Sequence, residues 1–133
     1  MSDLEDSTKP IVEFLLARIA EDDAAAQAAA DSPSRAGPYW GNTFREVFGL
    51  RLAPVGTTVA SSYADHIARN NPARVLAECA AKRRVIELTD DVAWLDSALT
   101  SEMGGKDEGS ADSILYALAA VYSDHPDYRK EWA

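Results

Sequence analysis

Apolar positions in the first part of the chain recur at helical spacing. In "STKPIVEFLLARIA", Ile11, Val12, Leu15, Leu16 and Ile19 fall within one broad arc when each residue turns by about 100°. Ser7 or Thr8 suits the cap, and Pro10 suits the first turn, where its missing N–H would have no partner anyway. Alanine is the best helix former, so the helix is expected to run on through "EDDAAAQAAAD". That tail has little side chain to bury. It is expected to pack closely on a neighbouring backbone, within the chain or across a homodimer, or to remain exposed. Pro33, Gly37 and Pro38 then break the pattern.

The period changes after Thr43. Phe48, Leu50 and Leu52 alternate with Gly49 and Arg51, the two-residue repeat of a half-buried strand. "PVG" at 54–56 reads as a turn and "TTVAS" as the returning strand, which predicts a short β-hairpin. Two strands alone are only marginally stable, so this hairpin must lie against helices.

Asn71-Pro72 is a strong helix start, with Asn as cap and Pro in the first helical position. Val75, Leu76, Cys79 and Ile86 share a face there, and Arg83 projects onto it, its stem covering apolar surface while its head reaches the rim. Thr89 or Asp90 either caps a new helix or continues the old one, with Trp94 and Leu95 as buried candidates in both cases. Residues 1–8 and the polar "GGKDEGS" at 104–110 read as flexible. Ser110 is expected to cap a last helix with Asp112 at its positive end and a stripe of Ile114, Leu115, Leu118, Val121 and Tyr122. A final turn after Pro126 should fold Tyr128 and Trp132 back onto the core. Together these elements predict an α+β fold, mostly helical, with three or four helices packed on a short β-hairpin in a single domain spanning 1–133.

Composition narrows the function classes. Hydrophobic residues make up 47% and charged ones 26%, ordinary globular usage. The single cysteine, Cys79, leaves no partner for an intrachain disulfide, excludes a Cys-rich zinc site, and reads as a small core side chain. No apolar run approaches the roughly 18 residues needed to span a bilayer. The acidic opening lacks the basic start of a secretory signal, so a cytoplasmic location and no membrane partner are expected. The net charge of −9 repels nucleic acid on average. It is unevenly spread: eight acids stand in residues 1–31, whereas Arg69, Arg74, Lys82, Arg83 and Arg84 crowd 69–84 against Glu78 alone. Opposing patches in solvent or against each other are the main reading, with a nucleic-acid strip as an alternative.

The two histidines, His66 and His125, each close a Tyr-x-Asp-His stretch. With Asp65, Asp124 and Asp127 they could form a metal or acid–base site, since imidazole titrates in the useful range. No phosphate loop, nucleophile elbow or zinc motif accompanies them. Capping rules favour a structural account, in which both stretches form helix corners whose side chains satisfy free backbone groups.

Two blocks carry a family resemblance. "HIARNNPARVLAECAAKRRVIE" (66–87) and "LAAVYSDHPDYRKEW" (118–132) resemble the signature blocks of a family of small actinobacterial and actinophage proteins, domain of unknown function 6221. Asn71 stands where members commonly have Asp and Ser123 where they have Ala. "GPYW" at 37–40 is similar to a Gly-Pro-Trp in the family with Tyr39 inserted, and 88–113 matches little. The resemblance implies a cytosolic protein of an actinobacterium or its phage and no assigned activity. The expectation is therefore a non-enzymatic protein-interaction or regulatory module with a protein partner, a host protein if phage-encoded, and no cofactor. The candidate polar cluster comprises His66, Arg69, Arg74, Arg83, Arg84, Asp124, His125, Asp127, Tyr128, Arg129 and Trp132. The two blocks are expected to pack together, making Tyr63, His66, Tyr122 and His125 neighbours.

Overall fold

A computed structural model describes residues 9–103 and 109–133. Its elements are α1 (Pro10–Ala30), β1 (Gly41–Thr43), β2 (Glu46–Phe48), β3 (Pro54–Thr57), α2 (Ser61–Arg69), α3 (Pro72–Met103) and α4 (Gly109–Ala119). Short 3₁₀ turns come after them at Ala120–Tyr122 and Lys130–Trp132. The fold is α+β and mostly helical, as the periodicity predicts. The expectations for residues 1–8, the Ser7 or Thr8 cap and most of the 104–110 loop lie outside the described residues. Gly109 and Ser110 belong to α4, so Ser110 stands inside the helix and not at its cap.

The chain divides into two compact units. One runs up to Ile19 and resumes from Ala81 to Ala133; the other is Ala20–Ala80, the boundaries falling inside α1 and α3.

In the first unit α1 buries Ile11, Phe14, Leu15, Arg18 and Ile19, while Leu16 is 42% exposed. The buried stripe is thus turned about one residue from the expected one, towards Phe14 and Arg18. On α3, Ile86 and Thr89 are buried, and the Thr89 hydroxyl donates to the Ile86 carbonyl at 2.5 Å. That bond keeps Thr89 inside one continuous helix and does not start a new one. Continuity then orients the next turn: Val92 and Ala93 take the half-buried positions, and Trp94 and Leu95 face outward, 71% and 50% exposed. They are not core residues. On α4 the buried line is Ala111, Leu115 and Ala119 at four-residue spacing, with Val121 left 65% exposed. The stripe is centred on Leu115 because alanines, overlooked beside larger neighbours, occupy the turns above and below it.

The second unit holds an antiparallel sheet in the order β1-β2-β3. Gly41 pairs with Phe48, Asn42 with Val47 and Thr43 with Glu46, closing a two-residue loop at Phe44 and Arg45. Strand β2 pairs onward with β3, with a bulge between Val47 and Phe48. The central Val47 is buried, and α2 covers β1 and β2 with Ala64 and Ala68 buried at helical spacing. The strands differ from the expected ones. Leu50–Leu52 is a 3₁₀ turn, with Arg51 at φ 55° and Leu52 at φ 62°, and "PVGT" is a strand. The reason lies at Gly49, whose backbone runs so close to Ala36 that a Cβ there would stand 2.1 Å from the Ala36 carbonyl oxygen. The Leu50 N–H donates to that oxygen at 2.7 Å, and the Gly49 N–H donates to Ala53 at 2.8 Å. The chain must loop there, so Phe48, Leu50 and Leu52 cannot continue as one strand.

Helix α3 starts where expected. The Asn71 side-chain oxygen accepts from the Arg74 N–H at 2.9 Å, the capping bond, while its amide donates to the Ala68 carbonyl at 3.1 Å at the end of α2. One side chain thus finishes one helix and begins the next.

Candidate functional site

Phe14 is the hub of the closing segment. Its ring meets Tyr122 at 6.3 Å, His125 at 5.6 Å and Tyr128 at 6.1 Å edge-on, and Trp132 at 5.1 Å tilted. Tyr128 also meets Trp132 edge-on at 5.6 Å. Edge-to-face pairs each add about 0.5–1.5 kcal/mol beyond area burial, so four contacts on one ring make this a stiff corner. Trp132 is buried and Tyr128 half-buried, so both fold back onto the core as expected.

Arg18 lies one turn further along α1, 5.2 Å above the Phe14 ring centre. Its guanidinium lies 3.1 Å from His125 Nδ1, and the Asp127 N–H also points at that nitrogen, at 3.0 Å. A guanidinium can only donate. Nδ1 must therefore be an unprotonated acceptor serving two donors, which puts the neutral ring's hydrogen on Nε2. The Asp127 carboxylate lies 3.7 Å from Arg18 but is 75% exposed, so it holds the charge loosely. Tyr122 accepts from Lys82 Nζ at 3.2 Å, and the ammonium also lies over its ring. Arg129 stacks over Trp132 at 5.6 Å and lies 3.8 Å from Glu131. Asp124 is exposed in the turn.

The other sequence candidates have separate surroundings. His66 is exposed on α2, 3.4 Å from the Asn70 amide, which also donates to the His66 carbonyl at 2.9 Å. It lies in the last turn of α2, which Asn70 closes. Its neighbour Asp65 accepts from the Asn42 amide at 2.6 Å, tying α2 to β1. The histidines belong to different units. The basic run is largely paired: Arg74 with Glu78 at 3.2 Å, Arg84 with Glu87 at 3.1 Å, and Arg83 half-buried with interactions of its own. Arg69 is exposed.

Sequence reasoning missed Phe14 and Arg18. The signal was present, since both continue the i, i+3, i+4, i+7, i+8 spacing of Ile11, Leu15 and Ile19. An arginine at a core-facing position passes unnoticed when only apolar letters are counted.

What the geometry defines is a small helix-rich α+β protein whose C-terminal segment is clamped on α1 by stacked rings and a shared imidazole acceptor. Among the described residues no group of three or more His, Cys, Asp or Glu gathers to hold a metal ion, and no helix is long and apolar enough to cross a membrane. The chain belongs to the family of unknown function DUF6221, whose model matches residues 8–133. No curated protein and no solved structure matches it.

Proposed function

We propose that the chain is a non-enzymatic protein-interaction or regulatory module, encoded by an actinobacterium or by a phage that infects one and working in the bacterial cytoplasm. One observation carries the reading. Tyr39, Phe44, Leu50, Leu52 and Val59, all in the segment that carries the sheet, are 64–81% exposed. Single exposed apolar residues are ordinary, but five large ones within residues 39–59 support reading this segment as a partner surface. Backbone geometry adds weight. Phe44, Arg51 and Leu52 hold φ of 55°, 55° and 62°, a left-handed conformation disfavoured for large L side chains. Strain of this kind persists where surrounding structure imposes it, and it clusters at binding loops.

The test is affinity capture from an actinobacterial lysate with the intact chain and with Phe44→Ser/Leu52→Ser. Both positions are exposed, so the double variant should keep its fold by circular dichroism. The reading expects a captured protein that the variant loses. Equal capture by both forms, or turnover of a substrate in an activity screen, overturns it.

A further inference from the structure

We propose that a cavity in the Ala20–Ala80 unit takes one lysine or arginine side chain from a basic segment of a protein partner. The proposal rests on the interaction reading above and names the partner's chemistry. The cavity is an open groove of about 270 Å³ between the alanine tail of α1 and the start of α3. Ala25 and Ala29 line one side and Pro72 and Val75 the other, with Trp40 and Asp22 completing the wall. The methyl groups of the tail leave the space that longer side chains would fill.

Volume decides the kind of occupant. Sites for small molecules begin at about 300 Å³, so this one suits a single side chain. Chemistry then decides which. The Trp40 indole N–H already donates to the Gly37 carbonyl at 2.7 Å, so the ring offers π surface and no donor. Apolar walls and an indole face suit the methylene stem and cationic head of lysine or arginine. Asp22 supplies the opposite charge, flanked by Glu21 and Asp23 on a chain of net charge −9. Asp22 is already engaged within the chain. A carboxylate has about four acceptor sites, so it can accept from an incoming cation as well. A leucine or phenylalanine would fill the same walls without meeting that negative charge.

The experiment titrates the ¹⁵N-labelled full chain with the peptide Gly-Arg-Ala-Lys-Ala-Arg-Gly, and with counterparts carrying leucine or glutamate in place of the basic residues. Amide shifts confined to residues 22–29, 40 and 70–75 are expected for the basic peptide alone. Filling the cavity with Ala29→Leu should weaken binding at least tenfold, and Asp22→Asn several-fold. Ala25→Leu, at an exposed position, serves the same purpose if Ala29→Leu does not fold. Equal binding of the leucine peptide overturns the proposal. So does basic-peptide binding that both leucine variants leave unchanged, since that would be diffuse attraction to an acidic surface. Absence of binding by every peptide also overturns it, yet leaves the interaction reading to the Phe44 and Leu52 capture experiment.

Discussion

Arg18 shows how one buried charge can organise a corner. Its guanidinium packs on Phe14 and donates to His125 Nδ1, which the Asp127 N–H also uses. Removing the acceptor takes one hydrogen-bond partner from each donor, so His125→Ala should cost about 1–3 kcal/mol in urea denaturation. His125→Asn, which can place an amide oxygen near the same point, should recover part of that loss. A purely apolar role for the ring predicts the reverse order, because alanine is then no worse than a buried amide. Gly49 makes a different kind of demand. A Cβ there would strike the Ala36 carbonyl at 2.1 Å, and that oxygen also receives the Leu50 N–H. Gly49→Ala should therefore lower stability by about 1–3 kcal/mol, the usual cost of overpacking, visible as a lower Tm. Neither residue was legible from its letter. The role of His125 depends on what faces its ring, and that of Gly49 on a backbone neighbour thirteen positions away.

Elements were legible wherever a local rule sufficed. Asn71-Pro72 starts α3 as capping chemistry requires, and alanine propensity carries α1 to Ala30. Asn71 does more than its local rule foresees, because its amide also closes α2 through the Ala68 carbonyl. Asn71→Ala should cost about 1 kcal/mol for the cap alone, and somewhat more with the second bond. Asn71→Asp keeps the capping oxygen and loses the donor, so its melting temperature should fall between the two. The strands were harder. Alternation across Phe48, Leu50 and Leu52 resembles a strand, but the close approach at Gly49 overrides it, and a pattern of apolar letters cannot register that contact. The resulting loop is strained for its side chains. Leu52→Gly should remove the left-handed penalty and change Tm little or upward, while an exposed leucine with no conformational cost would favour the wild type.

At the scale of the whole chain, the periodicity correctly anticipated a mostly helical α+β protein, and the two motif blocks anticipated its family. Surface chemistry was less legible, since exposure depends on which turns of helix and loop face inward. Trp94 reads as core and lies open, whereas Arg18, which no apolar pattern singles out, is buried. The basic letters of 69–84 likewise suggest a nucleic-acid strip, but Arg74 and Arg84 have acidic partners on the same helix. Electrophoresis at low salt should show no retardation of DNA or RNA by the chain. The outward-facing residues of the sheet-bearing segment also affect how the protein behaves as a colloid. Near neutral pH a charge of −9 opposes the sticking of copies through Phe44, Leu52 and Val59. Close to the isoelectric point of about 4.6 that repulsion vanishes, and the bare apolar loops become the stickiest part of the surface. Turbidity should therefore rise sharply there, and Phe44→Ser/Leu52→Ser should shift or abolish the precipitation without altering the charge that triggers it.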